Sequence, residues 1–185
     1  MPRVRQATAQ DAQEAVALII SSAPDAIPLL FNQQTLQHQY FARSYMNQAF
    51  LHQHGQFGFG NHWVIELQGQ LAGIGCAWQR EMGAMYVQAT LESMTQYYQG
   101  TDVLEVLNRC QSLQQVFARP ADDELCIGHI GVAKAFQRKG LCSELLTHFV
   151  EKANELDKQF LTLDVKQDNA PAIRCYQKFG FDIER

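Results

Sequence analysis

Between Leu125 and Ala153 an apolar run, a short basic loop and a one-sided amphipathic segment follow one another directly, and few architectures accommodate that order. Leu125 to Val132 has the apolar content of a buried strand. Gly128 and Gly131 interrupt it, and a missing side chain there permits a bulge or the close approach of a backbone or a ligand. Gln137-Arg138-Lys139-Gly140 comes next. Leu141, Cys142, Leu145, Leu146, Phe149, Val150 and Ala153 then form a stripe at helical spacing, with Glu144, Thr147, His148, Glu151 and Lys152 largely opposite. A strand that feeds a helix in this way leaves the first-turn N–H groups without internal partners, at the positive end of the helix dipole. Phosphate or pyrophosphate suits such an end. Gly140 lets the backbone approach closely, and Arg138 and Lys139 add positive charge. A solvated basic turn ahead of an ordinary helix uses the same residues.

The rest of the chain reads as alternating helices and short strands. Asp11 is placed to cap a helix carrying Ala15, Val16, Leu18, Ile19 and Ile20, which ends at Ser21-Ser22-Ala23-Pro24. Leu29 to Phe50 reads as a second helical region, followed by a glycine-rich loop from Gly55 to Gly60. His62 to Leu67 and Leu71 to Trp78, joined through Gln68-Gly69-Gln70, read as a hairpin. Tyr86 to Gln99 and Asp102 to Ala118 read as helices, the second opening with a capping box of Asp102 and Glu105. Phe160 to Val165 is a strand, and Asn169-Ala170-Pro171 starts a last helix that Gly180 ends.

With 185 residues, 46% of them hydrophobic and 18% charged, the chain suits one globular domain spanning 1–185. A net charge of -4 gives no field that would gather nucleic acid or an anionic membrane, so any anion site is local. The five cysteines stand singly, which indicates neither a disulfide framework nor a zinc knuckle and suits a reducing cytoplasm. No apolar stretch is long enough for a membrane span or a leader peptide. His52, His54 and His62 read as loop histidines rather than metal ligands, and no metal is expected.

Ile130 to Cys142, continued by Glu144-Leu145-Leu146, resembles the acetyl-CoA-binding motif of the GNAT superfamily of N-acetyltransferases, written Q/R-x-x-G-x-G/A. Gln137 and Gly140 match; Cys142 stands where glycine or alanine is usual. Leu161 to Val165 with Asn169, Ala172, Tyr176, Gly180 and Phe181 is similar to the later block N-x-x-A-x-x-x-Y-x-x-x-G-F, at every written position. The resemblance covers Glu124 to Glu184, and more weakly the N-terminal strand and the His62 to Trp78 hairpin. It implies a mixed α/β fold with a central, mostly antiparallel twisted sheet, a parallel splayed strand pair and flanking helices. A helical insert at about 86–118 departs from the family's minimal scheme, as a lid, a substrate wall or an oligomer contact.

The resemblance also implies roles. The backbone of Ile130 and Val132 pairs with the pantetheine arm of acetyl-CoA, while Gln137, Arg138, Lys139, Gly140, Leu141 and Cys142 wrap the pyrophosphate and Ser143 adds its hydroxyl. Tyr176 is the position from which the leaving thiolate is protonated; a core tyrosine is the other reading. Asn169 contacts the cofactor, caps the helix, or does both. His129 and Glu124 are the titratable candidates for the base, and His129 has the more convenient pKa. The implied function is acyl-CoA-dependent N-acyl transfer, acetyl foremost, to a primary amine of a small molecule or peptide, with a homodimer compatible. A non-catalytic acyl-CoA sensor or assembly module is the alternative, and a nucleotide-binding protein using the same loop a weaker one.

Overall fold

The computed structural model describes residues 1–114 and 119–184, so the end of the expected helix at 115–118 lies outside the described residues. In chain order the elements are β1 (Arg3–Gln6), α1 (Ala12–Ser22), α2 (Ala26–Phe31), β2 (Gln33–Gln34), β3 (Gln39–Tyr40), α3 (Ala42–Phe50), β4 (His62–Leu67), β5 (Gln70–Trp78), α4 (Gly83–Tyr97), α5 (Asp102–Gln114), β6 (Glu124–Val132), α6 (Leu141–Glu155), β7 (Phe160–Leu163) and α7 (Ala170–Phe179). One sheet runs β1-β4-β5-β6-β7, antiparallel except for the β6–β7 pair. The mixed fold with a parallel pair, expected from the resemblance, is the fold observed.

The β4–β5 hairpin closes through Gln68 and Gly69, both at positive φ (56° and 76°), the backbone of a two-residue turn that matches the twist of the strands. Ahead of it, Arg5 on β1 bonds both carboxylate oxygens of Asp11 at 2.8 Å and Glu66 on β4 through Nε at 2.8 Å. Asp11 therefore does not cap α1 through its side chain: the carboxylate takes Arg5 and the Thr8 amide, and ties the sheet edge to the helix entrance.

Apolar residues cover both faces of the sheet. On one side α1 lies across β5 and β6, and Val16, Ile19, Tyr45, Phe50, Val64 and Ile74 belong to one buried cluster. On the other, Leu145, Leu146 and Phe149 of α6 are fully buried, with α7 beside that helix. The span from Leu29 to Phe50 is not one helical region; a two-stranded ladder, Gln33↔Tyr40 and Gln34↔Gln39, separates α2 from α3. The helices α4 and α5 begin or end within three residues of the expected limits where they are described, but the capping box does not form as read. Asp102 faces His38 Nδ1 at 3.2 Å and Glu105 accepts from the Gln33 side chain.

These two helices belong to the main core. Met94, Tyr98, Val103 and Val106 are buried in the same cluster as Phe31 and Tyr45. The Tyr98 hydroxyl donates to the Phe31 carbonyl, the Gln56 amide donates to Thr90 Oγ1 at 2.9 Å, and the Gln99 amide donates to the Tyr40 hydroxyl at 3.0 Å. Among the described residues no helix is long and apolar enough to cross a membrane.

Candidate active site

The β6–β7 ladder covers only Glu124↔Phe160 to Ile127↔Leu163. Beyond Ile127, β6 runs on to Val132 with its second edge unpaired among the described residues. Its pairing to β5 also slips there: Cys76 faces Gly128 and Ile74 faces Gly131, so β6 carries one extra residue between those pairs. That is a β-bulge. His129 sits in it at φ 51°, a left-handed conformation uncommon for residues other than glycine and concentrated at functional sites. Gly131 serves helix packing: a β-carbon there would meet the Leu18 carbonyl oxygen on α1 at 2.7 Å. The close backbone approach at this glycine is to a helix.

The basic loop lies at the end of that open edge. After a 3₁₀ turn over Lys134–Phe136, Arg138 and Gly140 adopt positive φ (63° and 81°), the backbone of a concavity lined by successive N–H groups. Gly140 is the residue before α6, and no side chain among the described residues caps the helix. The first-turn amides of Leu141, Cys142 and Ser143 thus keep their donors, while Gln137, Arg138, Lys139, Gly140 and Ser143 are exposed. Lys139 Nζ lies 5.0 Å from the centre of the Phe136 ring. Gln137 Nε2 donates to the Val132 carbonyl at 3.1 Å, so two residues expected at the cofactor are bonded to each other. Leu141 is buried and offers only its backbone. Cys142 packs against the α6–β6 cluster, and burial, with the Cys175 thiol beside it, pushes its pKa up.

Tyr176 packs against the same cluster, 5.9 Å from the Phe181 ring, and its hydroxyl has no hydrogen-bond partner among the described residues. Burial, and then the Cys142 and Cys175 thiols, raise its pKa above the ordinary tyrosine value. Asn169 Oδ1 accepts from the Ala172 amide at 3.3 Å, the helix cap the sequence allowed. Glu124 accepts from the exposed Ala121 amide at 2.9 Å and stands at the strand entrance, five residues from His129.

His129 has neighbours that the sequence reading did not assign to it. Its ring stacks on Phe57 (5.4 Å between centres, 7° between planes) and meets the edge of Trp78 at 5.2 Å. His62 is no loop histidine. It opens β4, is fully buried, and places Nε2 3.1 Å from His129 Nδ1 and Nδ1 2.9 Å from the Gly58 carbonyl. Burial lowers its pKa to about 4. His129 also falls well below the ordinary range, through burial and then the neighbouring His62. Cys76 directly faces His62 across the β4–β5 ladder, and its thiol donates to the Gly128 carbonyl at 3.2 Å. His62, Cys76 and His129 bring their nitrogen and sulfur atoms within 4.8 Å of one another, and hydrogen bonds account for each. The signal for this cluster lay in strand alternation, which puts His62 and Cys76 on one face once the hairpin is registered. His52 and His54 stay exposed in the loop.

The chain matches the Acetyltransferase (GNAT) family over residues 27–181. It is 35% identical over 60 residues to the [Ribosomal protein bS18]-alanine N-acetyltransferase of Escherichia coli (strain K12), and 37% identical over 60 residues to that of Salmonella typhimurium. Those stretches cover 32% of this chain and 40% of the length of the curated relatives. Among solved structures, an N-acetyltransferase from Staphylococcus aureus Mu50 superposes with a TM-score of 0.67 at 16% identity, covering 99% of this chain and 92% of that one. The ribosomal-protein-S18-alanine N-acetyltransferase from Escherichia coli gives 0.52 at 15%, covering 100% and 80%. The unpaired edge of β6, the uncapped start of α6 and the match over residues 27–181 agree, and the chain belongs to the acetyltransferase (GNAT) family.

Proposed function

We propose that this chain is an N-acetyltransferase that binds acetyl-CoA along β6 and at the start of α6, and passes the acetyl group directly to a primary amine. One observation carries the reading: an unpaired strand edge, Gly128 to Val132, runs into a helix N-terminus that no side chain caps. The edge suits the amide-rich pantetheine arm, with Ile130 and Val132 offering backbone groups once Gln137 releases the Val132 carbonyl. The amides of Leu141, Cys142 and Ser143, with Arg138 and Lys139, suit the pyrophosphate. Asn169 acts by holding the loop ahead of α7 through its cap.

In the reaction the amine nitrogen attacks the thioester carbonyl carbon, the oxygen takes negative charge, and the carbon–sulfur bond then breaks. The amine proton goes to His129 Nε2, which has no partner among the described residues, and the departing thiolate accepts a hydrogen bond from the Tyr176 hydroxyl before taking a proton from solvent. A phenol with a raised pKa is a weaker acid than a thiol, whose ordinary value is about 8.5, so Tyr176 acts chiefly as a hydrogen-bond donor to the developing thiolate. Acceptor recognition falls to the segment from Pro24 to Gly60 and to the insert, whose sequences are rich in aromatic and glutamine residues and poor in acidic ones. A small amine or a peptide N-terminus fits those segments better than a polycation. The names of the curated relatives make an alanine-terminated peptide the first acceptor to try. Transfer within the cytoplasm suits the unpaired cysteines.

Calorimetric titration with acetyl-CoA, CoA and ATP, repeated on Gly140→Glu, tests the reading. Micromolar binding of acetyl-CoA but not ATP, lost in the variant, supports it. A folded protein that ignores both acetyl-CoA and CoA sinks it, and binding without turnover in an amine screen turns it towards a sensor.

A further inference from the structure

We propose that His62 is a positioning residue that fixes the tautomer of His129, holding the proton on Nδ1 and leaving Nε2 bare to receive the proton of the acceptor amine. The inference rests on the reading of His129 as the base, and follows from hydrogen-bond bookkeeping along one line of atoms. A carbonyl oxygen only accepts, so the 2.9 Å contact between the Gly58 oxygen and His62 Nδ1 places a proton on that nitrogen. A fully buried imidazole with a pKa near 4 is neutral at pH 7 and carries that one proton. His62 Nε2 is then an acceptor, and the 3.1 Å contact takes its proton from His129 Nδ1. His129, whose pKa burial and the neighbouring His62 hold well below the ordinary range, is neutral too and has none left for Nε2.

The surroundings keep the line in place. Phe57 stacks parallel to the His129 ring and Trp78 meets it edge-on, so the ring cannot turn over without displacing both. The titratable groups packed around it are His62 on β4, Cys76 on β5 and, next to Cys76, Tyr86 on α4. Burial keeps the last two protonated and uncharged. Among the described residues no carboxylate contacts either imidazole, so a second histidine does the orienting that a carboxylate performs in other base pairs. The left-handed backbone at His129 brings its Nδ1 to His62. In the absence of such a partner a neutral histidine side chain favours the proton on Nε2, the wrong atom for a base.

Long-range proton–nitrogen NMR at pH 7 reads the tautomer without any acceptor substrate. In the unaltered chain the His129 signals should report a protonated Nδ1 and a bare Nε2. His62→Phe keeps an aromatic ring and removes the acceptor, and the two nitrogen shifts of His129 should exchange places. His62→Gln restores an accepting oxygen and should restore the original pattern. A protonated Nε2 in the unaltered chain overturns the proposal, as does an unchanged pattern in His62→Phe. Should that variant fail to fold, the unaltered chain and His62→Gln still decide. His129→Gln answers separately for the base: if it transfers acetyl at the full rate, that reading falls while the tautomer result stands.

Discussion

A β-carbon on Gly131 of β6 would lie 2.7 Å from the carbonyl oxygen of Leu18 on α1. The obstacle is backbone in the middle of a helix, so no side-chain rotation relieves it. Gly131→Ala should push α1 off the sheet and destabilise the fold by about 1–3 kcal/mol, the usual effect of overpacking. A urea midpoint lowered with an unchanged slope is the expected result. A midpoint equal to that of the unaltered chain would show that α1 does not sit where described.

Tyr176 allows a clean separation of chemistry from stability. Its hydroxyl has no partner among the described residues, so Tyr176→Phe should leave the melting temperature and the acetyl-CoA affinity in place. Loss of a donor to the leaving group should lower kcat by about 10²–10⁴-fold. Because its surroundings raise the phenol above its ordinary value near 10, ionisation of Tyr176 should cause no fall in kcat between pH 8 and about pH 10. A full-rate Tyr176→Phe enzyme would return the residue to the core.

The imidazoles of His62 and His129 make stability depend on pH. His62 has a folded pKa near 4 against 6.5 when free, so the folded chain resists a proton that the unfolded chain accepts. Its contribution is fully present above pH 6.5 and is lost as the pH falls from 6.5 towards 4, by up to about 3 kcal/mol at 1.36 kcal/mol per unit. His129 acts in the same direction. The lowered pKa of Asp11 has its effect only below the ordinary value of 3.8, outside that window. Urea midpoints measured from pH 7.5 to pH 4.5 should fall steadily, and less steeply in His62→Phe than in the unaltered chain.

How much of this was legible in the sequence depends on how local the information was. The strand, basic loop and helix from Leu125 to Ala153, the Asn169 cap and the hairpin through Gln68 and Gly69 are each decided by residues a few positions apart. All of them appear in the fold. The contacts His62–His129 and Tyr98–Phe31 join residues 67 positions apart, and no spacing rule reaches that far. Asp11, Asp102 and Glu105 have the right chemistry for capping, but Arg5, His38 and Gln33 offer their carboxylates stronger or better-placed partners. Gln33 and Tyr40 pair across a turn inside what reads as one helical stretch, because large apolar residues at loose intervals do not distinguish one helix from two.

The insert yields the last test, because a wall and a lid respond differently to the loss of one hydroxyl. Tyr98 is 1% exposed, and its hydroxyl donates to the carbonyl of Phe31, the last residue of α2. Tyr98→Phe leaves that carbonyl without its buried partner, at a cost of about 1–3 kcal/mol. If α4 and α5 are part of the main core, the whole protein should melt earlier in a single transition, with hydrogen exchange accelerated in α2 and α3 as well as in the insert. If they form a lid, global melting should stay unchanged and exchange should rise in α4 and α5 alone. The shared burial of Tyr98, Tyr45 and Phe31 favours the first outcome, in which the acceptor meets a rigid surface.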